Sequence, residues 1–302
     1  MPDSTVIDAT TTYRMTSLAW ALAVHRAAET LRGEAGVDMS GYRPGPEVAL
    51  LAELDEPSRA GLDSELTTAG VTDAAGNLRP QWLRALGQAA TAPIRVSLVS
   101  RSAGLSTHCR VDLFEGRGIA VEFTRPVATA ADGRVAALDV AGIVTVTLLS
   151  EAVLWPVVAR SLPPFPELTA GGGDPDSGSE DSGPVPGRDG AKTTLPAADV
   201  AALAGGGAAG VPPGVAAAVA AAKTTVYLEV QSRAAGTDVP YRAAGVWALS
   251  DGLFSVRTAG PATARRLVMV ETASGDIARQ LVWHVLGARD FLARRSSTEP
   301  AS

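Results

Sequence analysis

The sequence is short of most things that betray a mechanism. It has one cysteine, Cys109, which excludes an intrachain disulfide framework and any multi-cysteine metal site. Of its 26 basic residues only Lys192 and Lys223 are lysines. A net charge of -6 and no Lys/Arg-rich run argue against nucleic acid as the main partner. The three histidines, His25, His108 and His284, fall in separate elements, with no HxxxH, HExxH or His–Cys metal spacing. No G-x-S-x-G nucleophile motif occurs. The greasiest window, Ala141 to Leu162, is broken by Thr145, Thr147, Ser150, Glu151, Pro156 and Arg160, whereas a bilayer span needs about 20 predominantly apolar residues. Met1 to Arg14 is polar, without the apolar stretch of a signal peptide. These absences predict a soluble, cytoplasmic protein with no membrane insertion.

What is present reads as globular. The chain has 302 residues, 46 % apolar and 19 % charged, ample for a sizeable core. Roughly a fifth of it is alanine and arginine far outnumbers lysine, a bias that suggests GC-rich coding and an actinobacterial source. Composition shifts near Thr169. Ala170 to Gly190 is rich in Gly, Pro, Ser and Asp, which bury too little area to offset chain entropy. It reads as a flexible acidic linker. The tail 294–302 is expected to fray.

The stretches either side of that linker share a pattern. Asp55-Glu56-Pro57 is a helix start, Leu62, Leu66 and Ala69 follow at helical spacing, and Gly70 is a stop. After an Asp73–Asn77 turn, Pro80 opens a helix with Trp82, Leu83 and Leu86. Alternating strands follow over Ile94–Val99, Cys109–Leu113 and Ile119–Phe123, then Gly142–Leu149, with Ser150 capping a helix through Val158. Beyond the linker, an alanine-rich helix over Pro213–Lys223 precedes strands at Val226–Gln231, Tyr241–Leu249, Leu253–Thr258 and Leu267–Val270. Asp251-Gly252 marks a hairpin there. Ser274 caps a last helix with Ile277, Leu281 and Val285 on one face. Helix, antiparallel strands, helix thus occurs twice. The pattern predicts a single α+β domain over 1–302 with quasi-twofold character, its half-repeats at about 45–165 and 195–292.

Candidate chemistry dissolves on inspection. Gly205-Gly206-Gly207-Ala208-Ala209-Gly210 satisfies G-x-G-x-x-G, but a dinucleotide site needs a preceding buried strand. Ala197–Ala204 reads as helix, so these glycines form a loop. Gly187–Thr193 approaches a phosphate loop but has Ala191 where a glycine is required. Cys109 faces away from His108 on an alternating strand and reads as a small core residue. Asp55, Asp63, Asp73, Asp132, Asp139 and Asp251 sit in turns or helix starts, where capping explains them. The tryptophans Trp20, Trp82, Trp155, Trp247 and Trp283 are spread like core anchors, with room for one or two on a recognition surface. The chain therefore reads as a binder rather than an enzyme, with no catalytic, metal or cofactor site.

One resemblance gives that binder a type. Gly70-Val71-Thr72-Asp73-Ala74-Ala75-Gly76-Asn77-Leu78-Arg79-Pro80, then Trp82-Leu83 and Ile94-Arg95-Val96-Ser97-Leu98, resembles the EspG family, cytosolic chaperones of type VII (ESX) secretion in actinobacteria. Val140–Thr147 with the helix through Trp155 fits that family's last strand and closing helix of the first half. Val226–Gln231, Val246–Val256 and the helix from Ser274 match more loosely. The resemblance covers most of Glu47 to Gly287, in pattern more than identity, while Met1–Arg43, Pro126–Gly133 and the linker depart from it.

The resemblance implies a central antiparallel sheet flanked by two helical bundles, no catalysis and no cofactor. It implies a partner too: the apolar helical tip of a PPE subunit, alone or in a PE–PPE heterodimer, kept soluble until export. The binding surface it implies is the loop Arg101-Ser102-Ala103-Gly104-Leu105-Ser106-Thr107 together with a helical bundle around Leu203, Val215 and Val219 and over Ile277–Leu286. The rival readings are a small-molecule-binding or enzymatic α+β protein using the sheet face, and a regulatory scaffold for another helical partner.

Overall fold

The computed structural model describes residues 10–34, 46–129, 135–139, 142–171, 217, 219–232, 240–259 and 266–296. The chain is α+β. In order the elements are β1 (Thr11–Thr16), α1 (Ser17–Glu34), α2 (Pro46–Glu53), α3 (Glu56–Thr68), α4 (Pro80–Ala90), β2 (Ile94–Ser102), β3 (Leu105–Phe114), β4 (Arg117–Thr129), β5 (Val135–Ala137) and β6 (Ile143–Ser150). Then come α5 (Leu154–Ala159), α6 (Pro166–Thr169), β7 (Thr224–Ser232), β8 (Tyr241–Leu249), β9 (Leu253–Ala259), β10 (Arg266–Glu271) and α7 (Asp276–Ser296). The strands hydrogen-bond in the order β1-β6-β4-β3-β2-β7-β8-β9-β10, with β5 paired to β4. Two compact units divide the chain: Met1–Pro93 with Val111–Thr124 and Val140–Leu154, and Ile94–Arg110 with Arg125–Asp139 and Trp155–Ser302.

In the first unit, local chemistry sets the helix boundaries. Asp55 accepts a hydrogen bond from Ser58 N at 2.9 Å and a proline follows in the first turn, so α3 starts where the sequence predicts. Gly70 takes φ +72° beyond its C-terminus. Asp73 Oδ1 then accepts from Ala75 N and Asn77 N, both at 2.9 Å, closing the turn into α4. β1 lies antiparallel to β6, and β6 to the first half of β4. The core gathers Met15, Ala19, Leu66, Val71, Trp82, Ile119 and Val146. Tyr13 packs edge-on against Trp82 with ring centroids 4.8 Å apart.

The second unit is built on β2, β7, β8 and β9. Ile94 pairs with Ser232 and Ser102 with Thr224, while Thr224 pairs with Leu249 and Ser232 with Tyr241. Side chains alternate across these strands. One face carries Val96, Leu98, Val226, Leu228, Val230 and Trp247, all buried. Trp247 donates its indole N–H to Asp276 Oδ2 at 2.8 Å, tying β8 to the start of α7. α7 buries Ile277, Leu281, Val285 and Ala288, the stripe its helical spacing predicts.

Several expectations need correction. The connection expected over Arg101–Thr107 is far tighter. β2 runs to Ser102 and β3 starts at Leu105, joined by Ala103 and Gly104 with φ +51° and +76°. Two positive-φ residues match a two-residue hairpin turn, whose twist suits its flanking strands. Within Pro126–Gly133, β4 continues to Thr129 and Val127–Thr129 pair with β5, a strand extension that was not expected. Asp63 is no cap: it pairs with Arg26 Nη1 at 2.6 Å. β1 and α1 were not expected at all. Cys109 is buried, as a core residue should be. Leu203, Val215, Gly187–Thr193, Gly205–Gly210 and 172–190 of the linker lie outside the described residues.

Candidate functional site

The second face of the second unit carries its charge. Hairpin geometry fixes the register there. The Ala103–Gly104 turn sets Arg101 opposite Ser106. Val127 N donates to Gly104 O at 2.9 Å, which in the same register sets Arg125 opposite Ser106. On β7, Thr225 lies opposite Arg101. Arg101, Ser106 and Arg125 therefore stand in one row across three neighbouring strands, with His108 two residues along on the same face. Ser106 is buried, and its Oγ lies 3.0 Å from His108 Nε2. Burial, and then the cations of Arg125 and Arg101, push the His108 pKa down to about 4. Burial and Arg125 also lower that of Arg101.

A hollow opens beside Arg101. Val99, Val219, Thr225, Tyr227 and Val246 line it with Arg101. Two residues from the expected binding set, Arg101 and Val219, are thus brought to one place. Arg101 Nε is buried and meets no acceptor among the described residues.

Further along this face the charges are matched. Glu229 accepts from Tyr227 Oη at 2.8 Å, from Gln231 Nε2 at 2.7 Å and from Arg242 Nε. Burial alone would push the Glu229 carboxyl up, but these hydrogen bonds outweigh it and hold it below its ordinary value. Burial, then the bond to Glu229, drives the Tyr227 phenol up to about 12. A phenol that stays protonated and a carboxylate with every neighbour donating to it form a structural network, not a proton-transfer pair.

α7 is apolar on its outer side too. Val282, Trp283 and Leu286 are 53 %, 69 % and 54 % exposed. At helical spacing they form one contiguous stripe. Leu105, at the tip of the β2–β3 hairpin, is 47 % exposed. Of the other expected residues, Ser102 donates to Lys223 O at 3.2 Å, Ala103 and Gly104 are the exposed turn, and Thr107 is half-buried in β3. The sequence reading missed Arg125, His108 and the outward role of Trp283. Trp283 was detectable, because it falls opposite the Ile277–Leu281–Val285 stripe on a helical projection. Among the described residues no cluster of His, Cys, Asp or Glu could hold a metal ion, and no helix is long and apolar enough to cross a membrane.

The chain matches no protein-family profile and no curated protein sequence. Among solved structures it is similar to the Mycobacterium tuberculosis type VII secretion system chaperone EspG5, solved in complex with a PE25–PPE41 dimer. The identity is 10 % and the TM-score 0.46, over 92 % of this chain and 96 % of that one.

Proposed function

We propose that this protein is a cytoplasmic chaperone of type VII secretion. It holds the apolar helical tip of a PPE-type subunit, presented within a PE–PPE heterodimer, and keeps it soluble until export. It is not an enzyme and uses no cofactor. The observation that carries this reading is the exposed Val282–Trp283–Leu286 stripe on α7, within the region where the EspG resemblance of the sequence expects a helical partner. A tryptophan more than two-thirds exposed beside two exposed aliphatic residues is the composition of an interface anchor. Covering an apolar tip shifts a partner towards its soluble form by mass action. The site chemistry agrees: the buried carboxylates of Glu229 and Asp276 are held by hydrogen bonds, and the hollow beside Arg101 has mostly apolar walls.

The test is co-expression with PE–PPE pairs from the source genome. A pair that is insoluble alone and soluble with this chain, and that copurifies with it, supports the proposal. Failure of every pair to be solubilised or retained overturns it.

A further inference from the structure

We propose that a second copy of this chain docks on α7, the two helices lying antiparallel about a twofold axis, and that this pairing covers the Val282–Trp283–Leu286 stripe of a chain with no other partner bound. The inference goes beyond the chaperone reading and is tested without any secretion substrate.

The argument begins with helical phase. Ile277, Leu281, Val285 and Ala288 are buried and mark the inward direction of α7. Opposite them, on the outermost line, stand Arg279, Trp283, Leu286 and Asp290, spaced at helical intervals of three and four residues. The line reads cation, two large apolar side chains, anion. Trp283, Leu286 and Asp290 are all exposed, and Arg279 is partly so.

The second observation is the symmetry of that line. A twofold contact between copies requires residue i to meet j while j meets i. Arg279 lies one helical step before Trp283, and Asp290 lies the same step after Leu286. Turned end to end, the line reads anion, apolar, apolar, cation. Two copies laid antiparallel therefore set each Trp283 on the other copy's Leu286 and each Arg279 beside the other copy's Asp290. A parallel pairing would instead oppose arginine to arginine and aspartate to aspartate, which is repulsive. Antiparallel helix dipoles favour the same arrangement.

The contacts these charged ends already make leave room for one across the helices. Arg279 Nη2 donates to Asp276 Oδ1 at 3.2 Å, and Asp290 accepts from Arg294 Nε at 3.1 Å and Nη2 at 2.5 Å. A guanidinium has five donors and a carboxylate about four acceptor sites, so each group takes a further partner without losing the one it has. Rim pairs of this kind set register and orientation more than affinity. The apolar centre is small, two large side chains from each copy, well under the roughly 800 Å² per partner of a standard stable interface. The pairing is therefore weak and concentration-dependent, and a tighter ligand of the same stripe opens it by mass action. Until then it covers an exposed apolar patch that would otherwise invite aggregation.

The experiment has two arms on the full-length chain. In the first, sedimentation velocity follows the mass from low micromolar to near-millimolar concentration. The wild type should rise from its 30.8 kDa monomer towards twice that mass. Asp290→Arg puts arginine at both ends of the line, and Arg279→Glu puts a carboxylate at both ends. Each alone should self-associate at least about tenfold more weakly than the wild type, and their equimolar mixture should recover the dimer, because it restores both ion pairs. Circular dichroism checks that the variants fold. The second arm does not depend on those charges. A Trp283→Cys chain mixed with a tagged Leu286→Cys chain under mild oxidation should give more mixed cross-linked dimer than either like pair, as the antiparallel register requires. Cys109 is buried and stays out of the reaction. A wild type that remains monomeric at the highest concentration leaves the stripe to the PE–PPE partner alone and overturns the proposal. A dimer undiminished in Asp290→Arg, or cross-links that form as readily between like chains as between unlike ones, places the contact elsewhere or in another register and overturns it too. Neither result touches the chaperone reading, which binding of a PE–PPE dimer decides separately.

Discussion

The indole of Trp247 donates to the Asp276 carboxylate across 2.8 Å, and both residues are buried. Arg279 reaches the other carboxylate oxygen at 3.2 Å and Arg257 approaches at 3.6 Å. Gly245 makes room for the ring, since a Cβ there would overlap it. Trp82 offers a contrast: it is fully buried in the first unit, yet its indole N–H meets no acceptor among the described residues.

The contrast yields a stability prediction. Trp82→Phe and Trp247→Phe remove similar apolar area, but only the second strips a buried carboxylate of a donor. Trp247→Phe should therefore cost about 1–2 kcal/mol more. Urea unfolding followed by circular dichroism measures both. Equal costs would show that the indole–carboxylate bond contributes nothing.

Gly245→Ala should destabilise the fold by about 1–3 kcal/mol, because the new methyl group displaces the Trp247 ring from a packed position. The urea midpoint is again the readout. A neutral outcome would mean that the ring shifts freely, contrary to its bond with Asp276.

Stability should fall with pH between about 6.5 and 4.5. Burial and two arginines hold His108 near 4, whereas the unfolded chain protonates it near 6.5. The unfolded state then binds more protons, and stability falls as pH drops through that range. Burial lowers His284 in the same direction. Glu229, held below its ordinary 4.5, contributes only at lower pH, so the upper window isolates the histidines. His108→Gln should flatten the dependence measured by urea midpoints at pH 7, 5.5 and 4.5. A wild-type midpoint that does not move would contradict the buried, neutral histidine.

Much of the fold was legible because its signals are local. Asp55 with Pro57, the Asp73 turn and the Asp251-Gly252 hairpin each announce themselves within a few residues. β1 and α1 were not legible. Thr11–Thr16 alternates over only six residues and passes straight into an alanine-rich helix, with no glycine or proline between them. The basic row was illegible for another reason. Arg101 and Arg125 meet through the registers of two successive hairpins, a relation that no residue spacing states. The helix over Ile277–Leu286 was legible, because its buried stripe follows the helical spacing of Ile277, Leu281 and Val285, and the outward Trp283 follows from the same helical phase.

The account's central claim is that exposed apolar residues of the second unit grip a PPE-type helix. The most direct measurement is calorimetric binding of a solubilised PE–PPE heterodimer to the wild type, Leu105→Asp and Trp283→Asp, with circular dichroism confirming the fold. Both positions are exposed, so stability should change by only about 0.5 kcal/mol. A charge desolvated at an interface centre costs several kcal/mol. The account predicts one-to-one binding by the wild type and its loss, or a drop of at least about a hundredfold, in both variants. Binding by both variants at wild-type affinity, with the fold intact, would contradict it.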